Sequence, residues 1–592
     1  MSGDDPIDLP KPAFLNVEDS LTGRRWVGPD GDALRMADAL GQETGLPAAL
    51  CRILADRGIS AEGAGQFLDP RLRDLLPDPR KFRDADIVAA RLVRALADKE
   101  RVAVFADYDV DGGASAALLL DWLGQQGHDA TLYVPDRIAE GYGPNPSAMR
   151  RLAESHDLIV CVDCGTHSFA AISAVPETDV LVIDHHLAAE TLPCALGIVN
   201  PSRQDESGDF AHLCAAAVTF IVLVEANRQL RDDGRDGPNL MEMLDLVALA
   251  TVADVVPLLG VNRAIVRQGL HVMRARRRPG LAALADVARL TAPPSAYHLG
   301  YILGPCVNAG GRVGRADLGA RCLSARDPDE ARALADSLDH LNRERRQIEM
   351  QVREAAFAQA DERGLDGPLI WAAGDSWHPG VVGIVAARLK EATRRPAVVV
   401  GFDGQFGKGS GRSIRGVDLG YAIQRLQAEG LLVKGGGHKM AAGFTVERDK
   451  LADAMDRLTD YVARQAAAIE SARELRIDSV LMPAAATIEL MQEIERAGPF
   501  GQDARAPRFA FPDAAIHYAR KVGNGHLKLS FGDGLGTRLD AIAFNAFSGP
   551  LGPALAGQKG QRFHLAGHVE VNHWGGRQAV QLRLQDAATA HA

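Results

Sequence analysis

Three aspartates stand two apart in the segment DYDVDG, at Asp107, Asp109 and Asp111. Further along come Asp163 in VDCGT, the run Asp184-His185-His186, and Asp254 in ATVADVVPL. So many carboxylates cannot all stay ionised in one pocket without positive charge among them. Aspartate oxygens with imidazole nitrogen suit Mn²⁺ or Mg²⁺ better than a thiophilic metal. The donors also outnumber what one such ion takes, so two ions sharing a bridging carboxylate is the economical expectation. A single Asp after a strand is ordinarily a helix cap or turn residue; the expectation rests on the four places together. The D-x-D-x-D spacing lacks the later Glu of a calcium loop, and the turn lacks the glycines of a dinucleotide fingerprint.

These residues need elements to bring them together. Val102–Ala106, Leu158–Val162 and Val180–Ile183 are short, continuous apolar runs rich in β-branched residues and bounded by polar ones. Buried parallel strands read this way. The first ends at Asp107, the second at Asp163 and the third at Asp184. A fourth run, Leu244–Ala253, fits either a helix or a strand by its periodicity and delivers Asp254. In an open parallel sheet the carboxyl ends of neighbouring strands face one crevice, and ligands bind there. All four places are therefore expected to converge as strand ends.

At 592 residues the chain is too long for one core. An N-terminal segment, 1–80, precedes the first α/β region at 81–325. Glycine-poor, charged sequence at 326–365 reads as a linking helix, with Glu330–Arg363 forming one or two helices. A second, smaller α/β region spans 366–468, with strands Leu369–Ala372, Ala397–Gly401 and Gly443–Val446 and helices Val381–Thr393 and Lys450–Gln465. From 469 to 592 the texture is β, with strands near Leu527–Phe531, Leu539–Phe544, Phe563–Val571 and Gln578–Leu584, a length that suits a five-stranded barrel.

Apolar residues make up 46% of the chain, and no apolar stretch reaches the roughly 20 residues of a membrane span. The start, MSGDDPIDLPKP, lacks the basic and apolar regions of a secretory signal. Seven cysteines form no even framework, which fits a reducing compartment. The expected location is the cytoplasm, with no membrane association. A net charge of −11 argues against a general nucleic-acid coat protein but leaves room for a narrow basic groove. Arginine clusters at Arg274–Arg278, Arg343–Arg353 and Arg394–Arg395 read as solvated helix faces.

DYDVDG, VDCGT, IDHH and ATVADVVPL, in this order, resemble the four motifs of the DHH phosphoesterase family. The match extends to FLDP at Phe67–Pro70, PDR and EGYGPN within Pro135–Asn145, NAGGR at Asn308–Arg312, WHPGVVGIVAARL from Trp377, SGR at Ser410–Arg412 and GGGHKMAAG at Gly435–Gly443. The whole set is most similar to the family's single-strand-specific 5′→3′ DNA exonucleases. That resemblance implies a parallel-sheet DHH domain, a smaller α/β DHH-associated domain joined to it by a long helix, and a C-terminal OB-fold barrel.

It also implies Asp107, Asp109, Asp111, Asp163, His185 and Asp254 as metal ligands or their immediate neighbours, holding two Mn²⁺ or Mg²⁺ ions. Asp109 and Asp111 are the first choices among the three N-terminal aspartates. Asp184, His185 and His186 are expected to serve catalysis, His186 either as a ligand or by acting on the nucleophile or the phosphate.

Arg137, Arg312 and Arg412, with Ser410, would form a terminal-phosphate pocket, because guanidinium forks bind phosphate oxygens in bidentate fashion. His378 would sit across a cleft from the metals, and Gly435, Gly436, Gly437 and His438 would bind substrate through a backbone anion nest. Phe531, Phe544 and Trp574 are candidates for stacking bases on the barrel.

The expected reaction is metal-dependent hydrolysis of single-stranded DNA from its 5′ end to 5′-mononucleotides, in DNA repair and recombination. The expected state is a monomer with single-strand-binding protein and a helicase as partners. Other members of the family cut short RNA or cyclic dinucleotides, and some relatives are scaffolds that have lost ligands. The N-terminal segment and barrel disfavour the former, and the complete acidic set disfavours the latter. Cys306, Pro379 and His167 depart from the expected motifs.

Overall fold

The computed structural model describes residues 12–136, 140–141, 143–466, 474–574 and 577–590. The chain divides into two compact units: residues 76–257 with 264–470, and residues 1–75 with 258–263 and 471–592.

In the larger unit, strands β1 (Val102–Ala106), β2 (Ala130–Tyr133), β3 (Leu158–Val162), β4 (Asp179–Ile183) and β5 (Gly197–Val199) form one parallel sheet. Its order is β2-β1-β3-β4-β5. Every residue of β1 and β3 is buried, because helices cover both faces, and this is why those strands are continuously apolar. Helix α1 (Val110–Gln125) leaves the end of β1, and α2 (Ala215–Asp232) packs beside it.

The run Leu244–Ala253 is a helix, α3, and not a strand. All of Leu244–Thr251 is buried. A helix enclosed on every side carries no polar stripe, so periodicity could not separate it from a strand. Asp254 therefore arrives from a helix C-terminus.

The linker is one unbroken helix, α4 (Pro328–Arg363), with Asp327 capping its start by accepting the Asp329 N–H at 2.8 Å. Its 36 residues span about 54 Å. Ala331, Leu334, Ala335 and Leu338 are buried near its start; Val352, Ala356 and Ala360 join the core of the next lobe. That lobe is a five-stranded sheet of order β9-β10-β8-β7-β6, built from β6 (Ile370–Asp375), β7 (Ala397–Asp403), β8 (Phe406–Arg412), β9 (Lys434–His438) and β10 (Ala441–Glu447). Helix α5 (Pro379–Thr393) connects the parallel pair β6 and β7.

The smaller unit holds a closed barrel. Strands β11 (Phe509–Val522), β12 (His526–Gly532), β13 (Arg538–Ala543), β14 (Arg562–Trp574) and β15 (Arg577–Thr589) run in the order β11-β12-β13-β15-β14, and β14 pairs back with β11. Leu50 and Leu54 from the N-terminal helices share its core with Phe509, Phe511 and Leu565. Arg25–Val27 pairs in parallel with Glu474–Arg476, and the Trp26 indole donates to Asp586 at 3.0 Å. Buried Arg263 donates to the carbonyls of Phe67, Arg496 and Ala497.

Candidate metal centre and substrate cavity

Each acidic residue reaches the crevice for a local reason. Asp109 caps α1, accepting the N–H groups of Asp111 at 2.9 Å and Gly112 at 3.2 Å. A Cβ on Gly112 would lie 2.5 Å from the carbonyl oxygen of Asp107, so only glycine lets the turn close. Asp111 lays its carboxylate on the N-terminus of α2, accepting from Ala215 at 2.6 Å and Ala216 at 2.8 Å. Asp163 follows β3 in the left-handed region, with φ +59°. Backbone strain of this kind is concentrated at functional sites.

His185 uses Nδ1 on the Leu213 carbonyl at 3.1 Å. With that nitrogen donating, Nε2 is left with its lone pair facing the acids. It lies 3.4 Å from Asp163 Oδ1, 3.7 Å from Asp111 Oδ2 and 3.8 Å from Asp254 Oδ2. Those separations exceed ordinary hydrogen bonds. They match two donors that each stand about 2–2.2 Å from one shared ion. Three donor groups lie within 4.8 Å among themselves: Asp107, Asp109 and Asp163; Asp111, His185 and Asp254; Asp163, His185 and His186. Asp163 and His185 each belong to two of them, and the oxygen-and-imidazole donor set fits Mn²⁺ or Mg²⁺.

The electrostatics point the same way. Burial pushes Asp163 well above the usual carboxylate range, and repulsion from Asp111, Asp109, Asp107 and Asp184 adds to it. Burial, then Asp111 and Asp109, push Asp254 up to about 8. Burial also raises Asp111, against the opposing pull of His185. Asp184 behaves oppositely. Burial works against its charge, yet hydrogen bonds from His186 and Thr166 hold it well below the usual range. In return, and despite its own burial, the His186 imidazole is raised to about 9 by Asp184.

Asp184 Oδ1 takes His186 Nδ1 at 2.7 Å and the N–H of His185 at 2.8 Å, while Oδ2 takes the Thr166 N–H at 3.1 Å. It belongs to none of the three donor groups and instead orients the two histidines. Asn200 braces the same turn, donating to Thr166 Oγ1 at 2.9 Å and the His186 carbonyl at 2.8 Å. Asn308 accepts the Val110 N–H at 3.0 Å, which ties the NAGGR segment to the DYDVDG turn.

A cavity of about 670 Å³ runs from Tyr108, Asp109 and Ala253 to the second sheet. Its far wall carries Lys408, Ser410 and Arg412 from β8, Lys434 from β9, and Arg312. Arg412 donates to Ser410 Oγ at 3.1 Å, and Arg312 donates to the Gly380 carbonyl at 3.1 Å. Asp109, a member of the acidic cluster, at one end and guanidinium and ammonium groups at the other suit a phosphate chain: cations can be held at the first and phosphate oxygens at the second.

A model described as the DHH family, N-terminal domain, matches residues 101–251, and the DHHA1 domain matches 366–464. The RecJ OB domain matches 477–586. The single-stranded-DNA-specific exonuclease RecJ of Dickeya dadantii is 37% identical over 560 residues, covering 91% of this chain and 96% of that protein. This chain belongs to the RecJ family. RecJ of Escherichia coli is 36% identical, with the same coverage. The crystal structure of Thermus thermophilus RecJ in complex with Mn²⁺ superposes with a TM-score of 0.80 at 29% identity, covering 96% of this chain and 80% of that one.

Several expected positions fall elsewhere in this RecJ-family chain. The run Gly435–Gly437 is not a nest. It lies in strand β9, paired with Phe444, Gly443 and Ala442, and Gly435 donates to the Gln427 side chain. Gly435 and Gly436 line the cavity, whereas His438 is exposed beyond its lining residues. His378 caps α5, its Nδ1 accepting the Gly380 N–H at 3.0 Å. Phe531 is no stacking platform: it is fully buried against Phe511 inside the barrel. Phe544 is 56% exposed, with His526 at its edge. Arg137 and the Trp574 side chain lie outside the described residues.

Lys408 and Lys434 were missed in the sequence reading. A signal existed for Lys408: FGKGSGR alternates glycine with polar residues, and a period of two puts Lys408, Ser410 and Arg412 on one face of a strand. Asn200 and the Leu213–Ala216 backbone carried none.

Proposed function

We propose that this RecJ-family protein is a divalent-metal-dependent exonuclease that hydrolyses single-stranded DNA from its 5′ end to 5′-mononucleotides. The observation that carries the reading is the continuity of the carboxylate–histidine cluster with a basic cavity, within a chain similar to RecJ along nearly its whole length.

Asp107, Asp109, Asp111, Asp163, Asp254 and His185 would hold two Mn²⁺ or Mg²⁺ ions. When bound, such ions supply a Lewis acid that generates a nucleophile from water at neutral pH and neutralises phosphate charge. The other steps belong to side chains. His186, cationic through its bond to Asp184, offers a proton-bearing edge to the phosphate under attack. Arg412 and Arg312, with Ser410, Lys408 and Lys434, grip the phosphates on the far side and fix the strand's register. Arg137, matched through the family motif alone, is a further candidate for contact with the terminal phosphate. Exposed Phe544 on the OB-fold barrel suits stacking against a base.

The role lies in DNA repair and recombination, as a cytoplasmic monomer working with single-strand-binding protein and a helicase. Seven free cysteines support a reducing compartment, and no described helix is long and apolar enough to cross a membrane.

Polarity tests the reading. DNA labelled at the 5′ end should lose its label as mononucleotide from the first turnover, while 3′-labelled DNA should shorten steadily and release its labelled nucleotide last. Arg412→Ala should raise KM for 5′-phosphorylated strands by about tenfold or more, equivalent to one charged hydrogen-bond pair, and much less for 5′-hydroxyl strands. Release of label from the 3′ end first would overturn the assignment.

A further inference from the structure

Tyr297 and Tyr301 are among the exposed aromatic side chains of the described residues. Tyr297 is 55% exposed and Tyr301 71% exposed. Their rings stack, with centroids 5.1 Å apart and planes inclined by 26°. Among the described residues neither hydroxyl has a hydrogen-bond partner. The pair stands on consecutive turns that pass into a π-helical stretch at Leu299–Leu303. Such turns are rare and recur at functional sites.

The placement is informative. Gly300 and Gly304 form the neighbouring row of the same turns. A Cβ on Gly300 would lie 3.3 Å from Val252, and one on Gly304 would lie 3.2 Å from Ala253. These glycines bring the turn against the end of α3, directly before Asp254. Val255, next in the chain, is itself 62% exposed and held in the left-handed region at φ +60°. A β-branched residue rarely adopts that conformation. The exposed rings thus adjoin the rim of the metal centre.

We propose that Tyr297 and Tyr301 form a stacking platform for the bases of the bound single strand. This rests on the functional reading above and adds a subsite to it. Every base presents a π-face, so such a platform holds a strand without selecting sequence.

The test compares Tyr297→Ala/Tyr301→Ala with Tyr297→Phe/Tyr301→Phe, measuring binding to an oligonucleotide of about 20 nucleotides in chelator and KM in Mn²⁺. The alanine pair should weaken binding by about tenfold or more, and raise the ratio of KM for the oligonucleotide to KM for a dinucleotide by a similar factor. The phenylalanine pair, which keeps both rings, should restore both. An oligonucleotide carrying abasic positions should bind the unaltered protein more weakly and the alanine pair no worse than its intact counterpart. Equal binding of the intact oligonucleotide by the alanine pair and the unaltered protein would overturn the platform, and would leave the rings to a protein partner. An unaltered chain that binds the strand but never cuts it would defeat the nuclease reading instead, since the binding ratio is read in chelator.

Discussion

Replacing Asp163 with asparagine is expected to lower kcat by about 10³-fold or more while making the metal-free protein more stable. Asp163 belongs to two of the three donor groups, so its loss removes a donor from each and weakens the hold on the ions. Several kcal/mol of charge stabilisation depend on them, and each 1.36 kcal/mol is worth tenfold in rate. Asparagine tolerates the left-handed backbone at φ +59° and has the same shape, so the turn should survive. The gain in stability follows from the site's own repulsion. In the folded protein Asp163 titrates well above its ordinary range, which means that its ionised form opposes folding.

That penalty is absent below the unfolded carboxylate range and complete above the folded value. Melting temperatures of the unaltered, metal-free chain should therefore fall as pH rises from about 4 toward 8. The asparagine variant should fall less steeply. The gap should amount to roughly 1 °C for each kcal/mol of repulsion removed, because the melting entropy of so large a unit is high. Added Mn²⁺ should close it by stabilising the unaltered chain more than the variant. A variant that melts below the parent at pH 8 without metal would contradict the electrostatic account.

Gly112→Ala tests the turn that carries three of the aspartates. The new methyl would meet the Asp107 carbonyl oxygen at 2.5 Å and its carbonyl carbon and nitrogen at 2.8 Å. All three are backbone atoms, so the strain falls on the path of Asp107. Overpacking of this kind costs about 1–3 kcal/mol. A displaced ligand costs more in rate, about 10²-fold for an error near 1 Å. Gly65→Ala provides the contrast. Nothing lies within 4 Å of the added methyl in that helix, and stability should be unchanged or raised by up to about 1 kcal/mol. Near-normal kcat in Gly112→Ala would mean that Asp107 is not held to a fixed position.

The site was legible where burial and chemistry coincide. Strands β1, β3 and β4 are enclosed on both faces, which wrote them as unbroken apolar runs ending in Asp107, Asp163 and Asp184. The same enclosure hid the helical nature of Leu244–Ala253. Strand β8 was hidden for the opposite reason. With Gly407, Gly409 and Gly411 on its buried face it carries almost no β-forming residues, although its alternation is regular. The run Gly435–Gly437 read as a turn because nothing local says that β10 and the Gln427 side chain hold it extended. Phe531 lies within strand β12 and faces the barrel core, whereas Phe544 lies in the turn just past the end of β13, a strand end that the apolar run Leu539–Phe544 does not mark.

The arginine cluster at Arg274–Arg278 proved only partly solvated. Arg276 pairs with Asp286 and Arg277 with Glu242, whereas Arg278 is drawn inward onto Asp245 and Asp121. Backbone carbonyls and amides, such as Leu213 for His185 and Ala215–Ala216 for Asp111, leave no trace in sequence at all. Yet they fix the tautomer and charge on which the metal centre depends.

The most direct test of the whole is anomalous scattering from crystals of this protein grown with Mn²⁺. Two manganese peaks are expected, one among Asp107, Asp109 and Asp163 and one among Asp111, His185 and Asp254. Manganese absent from these groups in crystals of protein that degrades single-stranded DNA would contradict the assignment.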